Sequence, residues 1–302
     1  MVPMTVSPLA VRVLARAEWE PLAAAHAERA DALTAGRRLR ASRGERHAIE
    51  DFLYEYYPAK PAQLRRWHPG PGIVLEGAPE HAGWRFYTDD AGAASVDIDA
   101  FLADRGTTVG WIEGLMSRTA ERPASFGCFG LHEWAMVYRM DEDDRRHPLP
   151  LRLGAAGTDE VVENHPIRCS HFDAFRFFTP EARPLNELQP TRETTPAMEQ
   201  PGCLHGNMDL YKWAFKLAPA VPSSLTLDAF ELALDVRQVD MQASPYDVSS
   251  YGLDAIAIET PAGKREYVDR QREFAARGAV LRGRLLDAIG LIREAASTPA
   301  PA

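Results

Sequence analysis

Apolar positions along this chain recur mostly at helical spacing. Trp19, Leu22, His26 and Leu33 fall at helical intervals in an Ala-, Glu- and Arg-rich stretch, which predicts an amphipathic helix over 18–42 lying as a peripheral arm. A second helix over 47–57 ends before Pro58, and Pro61 opens a third that runs through Trp67. His68-Pro-Gly-Pro-Gly72 breaks regular structure. Three short runs, 73–76, 84–88 and 95–99, with turn residues at 88–92 between the last two, predict a small antiparallel meander.

The helical pattern then returns. Val109, Ile112, Leu115, Met116 and Thr119 form one stripe, and 126–140 carries another. The charged run 141–146 reads as a solvated loop, 169–178 as either a strand or a buried helical turn, Thr179-Pro-Glu181 as a helix start and 187–200 as a loop. Three strong helices follow, over 203–217, 225–242 and 262–295. The last is opened by Thr260-Pro261 and carries Tyr267, Phe274, Leu281, Leu285 and Ile292 at near-heptad spacing. Residues 297–302 read as a frayed tail. The fold class is mainly α (α+β): a helical bundle-like core with a small antiparallel β meander, in one compact domain over 1–302.

Composition narrows the function. Hydrophobic residues at 45% and charged residues at 25% suit a globular core, so global disorder is not expected. With 34 Lys+Arg against 43 Asp+Glu the net charge is −9, which disfavours nonspecific nucleic-acid binding unless basic residues cluster on one face. Cys128, Cys169 and Cys203 are widely spaced and odd in number, as expected of reduced thiols rather than a disulfide framework. Arg12 and Arg16 interrupt the apolar run that a secretory leader needs, and no stretch reaches the roughly 18 apolar residues of a membrane span. A cytoplasmic location is expected.

Candidate chemistry centres on two helices. On 203–217, His205, Asp209, Lys212 and Lys216 fall within about 60° of one another on a helix otherwise apolar. On 225–242, Asp228, Glu231 and Asp235 line one strip between two apolar surfaces. The connection 218–223, with Pro219 and Pro222, predicts an antiparallel hairpin whose polar strips face each other. Carboxylates held close together push their pKa values apart, as acid/base work requires; alternatively Lys212 and Lys216 neutralise them as structural ion pairs. His205 and Asp209, four apart, suit either one shared metal ion or orientation of the imidazole by the carboxylate. His171-Phe-Asp173 adds a second histidine and carboxylate, and His132-Glu133 a third pair; such a mixed set suits iron, manganese or zinc. The aromatic run at Phe172, Phe175, Phe177 and Phe178 reads as core. No G-x-G-x-x-G after a strand, P-loop, G-x-S-x-G or H-E-x-x-H motif is present.

Several segments resemble an actinobacterial family labelled 3-methyladenine DNA glycosylase. They are Glu50-Asp-Phe-Leu53, Pro61-Ala-Gln-Leu-Arg-Arg-Trp-His-Pro-Gly70, His171 to Phe178, Cys203-Leu-His205, Met208-Asp-Leu-Tyr211 and Ser244-Pro-Tyr-Asp247. The resemblance implies a hydrolytic N-glycosylase on an alkylated purine, in DNA repair, with Asp228 or Asp235 as carboxylate base and His205 positioned by Asp209. Such an enzyme flips the target base into a stacking pocket, which the aromatic segment would supply. Gln200-Pro-Gly-Cys-Leu204 departs from the helix-hairpin-helix pattern of base-excision glycosylases in lacking its second glycine. Two further expectations stand beside this one: a metal-dependent enzyme on a small molecule using His171, Asp173, His205 and Asp209, and a noncatalytic binding protein.

Overall fold

The computed structural model describes residues 11–57, 59–141 and 148–296. The tail 297–302, Pro58 and most of the charged run 141–146 lie outside the described residues. The chain is mainly helical. In order it forms β1 (Arg12–Leu14), α1 (Arg16–Arg43), α2 (Phe52–Glu55), α3 (Pro61–Leu64), β2 (Ile73–Leu75), α4 (Pro79–Ala82), β3 (Ala94–Ser95), α5 (Ile98–Ala120), α6 (Leu131–Ala135), α7 (Gly154–Glu163), α8 (Phe172–Phe175), α9 (Thr195–Met198), α10 (Leu204–Lys216), α11 (Ser223–Ala243) and α12 (Pro261–Ala296).

The sheet differs from the expected meander. It is mixed: β1 pairs in parallel with β2 through Val13 and Val74, and β2 pairs antiparallel with β3 through Leu75 and Ala94. The run 84–88 is not a strand; only Tyr87 bridges, to Val96. The 95–99 run gives way after Ser95, because Asp97 caps α5 by accepting from the Ala100 amide at 2.9 Å. The stripe at 126–140 yields only the five-residue α6, and 169–178 only the four-residue α8. α1 does not lie free of the core: Trp19, His26, Ala30 and Thr34 are buried along one face, and the helix packs on α3 and α11. Gly44, at φ +70°, ends it in the left-handed conformation that a side chain would resist.

α10 and α11 form the expected hairpin and are each other's main packing partners, with α12 laid across both. α10 is enclosed to an unusual degree, so that His205, Asn207 and Asp209 are buried along with Met208, Leu210 and Tyr211. α12 approaches closely enough that Gly278 has no room for a Cβ beside the Asn207 side chain. Because the hairpin is antiparallel, the first turn of α10 comes beside the last turns of α11. No helix among the described residues is long and apolar enough to cross a membrane.

Candidate metal centre and adjoining cavities

His132 and Glu133 come from α6, His205 from the first turn of α10 and Asp240 from the last turns of α11. All four are buried, and one ligand atom from each lies within 4.8 Å of the others. The His132 Nε2 and Asp240 Oδ1 are 2.9 Å apart, and Cys128 Sγ stands 3.5 Å from His132 Nδ1. Arg237, one turn before Asp240, donates from Nη1 to Glu133 Oε1 at 3.2 Å and to Asp240 Oδ2 at 3.0 Å. His205 Nε2 is 3.9 Å from Asp240 Oδ2, too far for a hydrogen bond, and its ring lies 4.5 Å from that of His132. Its imidazole makes no hydrogen bond with any described residue.

Burial and neighbours set the charges. Burial alone would lower the His132 imidazole, but the Asp240 carboxylate outweighs it and holds His132 well above 6.5. His205 is held well below 6.5 by burial and then by the neighbouring His132. Burial, reinforced by Asp240, raises the Glu133 carboxyl. The Asp240 carboxyl is lowered despite its burial, chiefly by His132.

A second group adjoins the first. His171 stacks on His205 with ring centres 5.4 Å apart. His171, Asp173 and Asp209 also bring ligand atoms within 4.8 Å of one another. Here, however, Lys212 already supplies the cation, at 3.1 Å from Asp173 Oδ2 and 2.8 Å from Asp209 Oδ2, while the Tyr57 hydroxyl donates to Asp209 Oδ1 at 2.7 Å. Asp209 therefore faces His171, at 3.8 Å, and not His205, one turn before it on the same helix.

The α11 carboxylates do not face the α10 stripe. Asp228 pairs with Arg29 at 2.6 Å and Arg284 at 2.7 Å, Glu231 with Arg29 at 2.6 Å, and Asp235 with Arg277 at 2.7 Å. They lie on the side of α11 turned to α1 and α12. Neither Lys212 nor Lys216 is their partner; the arginines come from helices distant in sequence. The charged residues that α11 does send to the buried site are Arg237 and Asp240, spaced three apart between buried Val236, Val239 and Met241. That pairing of charges inside an apolar run was the available sequence signal for them.

Besides a small cavity of about 40 Å³ at Glu133 and His205, two larger ones reach the histidines. One of about 330 Å³ is lined by His132 and His205 together with Cys128, Cys169 and Cys203, all three free. The other, of about 470 Å³, has His171, Asp209 and Glu199 along it. Glu199, on the segment after α9, is 1% exposed and was missed in the sequence because it sits in an aperiodic stretch. No family model, curated protein or solved structure matches the chain.

Proposed function

We propose that the chain is a metal-dependent enzyme acting on a small molecule, with His132, Glu133, His205 and Asp240 as the ligands of one divalent ion. The observation that carries this reading is the convergence of four buried ligand side chains within 4.8 Å. Ligand atoms around one ion at about 2.1 Å stand roughly 3 to 4 Å apart, so modest side-chain movement completes the set. Binding would displace the proton that Asp240 holds on His132, leaving two neutral imidazoles and two carboxylates to offset a divalent charge, and this donor set suits iron, manganese or zinc.

The surroundings fit that role. Cys128 stands at the outer nitrogen of His132, where a partner fixes ring orientation. Arg237 holds Glu133 and Asp240 from behind. The His205 ring nitrogens have no hydrogen-bond partner among the described residues, and the ring borders the 330 Å³ cavity, within the size range of small-molecule sites. An ion held by these four residues would supply Lewis-acid chemistry to a substrate oxygen or to water, and the cavity beside His205 would admit a small substrate.

The N-glycosylase reading has less to support it, since Asp228 and Asp235 are each engaged by arginine on the outer side of the hairpin. Cobalt titration of metal-free protein tests the proposal: saturable visible absorption at one equivalent, lost in His205→Gln, is expected. Absence of uptake by the folded wild type contradicts it.

A further inference from the structure

The 470 Å³ cavity between α5, α10 and the segment around α9 contains none of the four proposed metal ligands, yet it has the features of a built ligand site. On its wall, neither carboxyl oxygen of Glu199 has a hydrogen-bond partner among the described residues, although the residue is 1% exposed. His171 Nδ1 is likewise without a partner and stands 3.8 Å from Glu199 Oε2, beyond hydrogen-bond reach. The Trp213 indole N–H, on another residue lining the cavity, is also buried without an acceptor among the described residues. Buried polar groups are normally satisfied, so three on the walls of one cavity point to a ligand that satisfies them.

The walls and rim define the rest of that ligand. Trp111 is 42% exposed although its ring lies only 5.1 Å from that of Trp213, leaving an indole face open to the cavity region. Lys216 and Arg192 also line the cavity; each lies over an aromatic ring, and neither forms a salt bridge among the described residues. Aromatic faces stack flat rings, and uncommitted lysine and arginine recognise phosphate.

We propose that this cavity binds a heteroaromatic phosphate of mononucleotide size, its ring on Trp111, its ring nitrogen and amino group on the Glu199 carboxyl, and its phosphate on Lys216 and Arg192. A carboxylic acid matches such an edge through two hydrogen bonds, O–H to ring nitrogen and amine N–H to carbonyl, as a side-chain amide does when it reads adenine. Burial, with the nearby Asp209 charge, pushes Glu199 up to about 8, which leaves it the proton to donate at neutral pH. The inference does not depend on the metal proposal.

Calorimetric titration of EDTA-treated protein with adenosine 5′-monophosphate tests it, with adenosine and ribose 5-phosphate as separate arms. The nucleotide is expected to bind one site saturably, and each fragment about tenfold more weakly or worse, since both ends contribute. Lys216→Gln should weaken the nucleotide by about tenfold and leave adenosine unchanged, and Trp111→Ala should weaken both. Both side chains are exposed, so folding is not at stake; Glu199→Met, checked by its melting profile, should weaken nucleotide and adenosine alike. No saturable binding of the nucleotide by the wild type, or binding that Lys216→Gln and Trp111→Ala leave unchanged, overturns the proposal.

Discussion

His205 Nε2 faces the Asp240 carboxylate across the α10–α11 hairpin at 3.9 Å, close enough to share an ion and too far to share a proton directly. The other Asp240 oxygen is already engaged by His132, and Arg237 closes the group from behind. The His205 imidazole is thus buried among charges without a hydrogen bond to a described residue, as suits a side chain reserved for a ligand.

Removing Asp240 should unfold the protein more readily than removing any carboxylate of the outer strip. Asp240→Asn removes the carboxylate paired with buried His132 and one of the carboxylates held by buried Arg237, a loss of about 3–5 kcal/mol. Asp235→Asn breaks a half-exposed pair with Arg277 and should cost under about 1 kcal/mol without affecting metal content. Urea midpoints of the two variants check the ranking; equal midpoints would contradict it.

The two histidines of the centre should respond to pH with opposite signs in the metal-free protein. His205 is lowered in the fold, so its contribution is present above the unfolded value of about 6.5 and is lost as pH falls below it. His132 is raised, so its contribution is complete below about 6.5 and is lost as pH rises through the folded value. His205→Gln should therefore cost less stability at about pH 5.5 than at about pH 7.5, and His132→Gln more. Denaturation of both variants at the two pH values decides it, and parallel responses would refute the charge assignment.

Gly278→Ala tests how firmly α12 holds the start of α10. A methyl group there collides with Asn207, whose amide donates to the carbonyls of Pro201 and Cys203 and whose oxygen accepts from Arg282 at 3.1 Å. The expected cost is about 1–3 kcal/mol, with a loss of metal affinity because His205 follows Cys203 by two residues. Gly283→Ala, on the same helix with open space at its Cβ, is the control and should be neutral or slightly stabilising.

Much of the helical frame was legible in the sequence because periodicity is local. The proline-flanked connection after Leu217 marks the hairpin, and the polar stripe on α10 stands out against its apolar surroundings. The partners of that stripe were not legible. Asp228, Glu231 and Asp235 recur at helical spacing and draw attention, but arginines brought from α1 and α12 claim them, and no local pattern announces pairing over such separations. Asp240 and Arg237 lie off the strip, hidden among valines and methionine. Glu199 sits where no period exists, and β1 is only three residues long, recognisable as a strand only once β2 lies beside it. His132, His171 and His205 were all visible as residues, whereas their ring contacts depend on three separate segments meeting.

Elemental analysis of protein purified without a metal-binding tag tests the central claim most directly, with His205→Gln and Asp228→Asn purified in parallel. The account predicts iron, manganese or zinc near one equivalent in the wild type and in Asp228→Asn, and its loss from folded His205→Gln. A folded wild type without metal that takes none up on incubation, or a His205→Gln variant that retains the full equivalent, would contradict it.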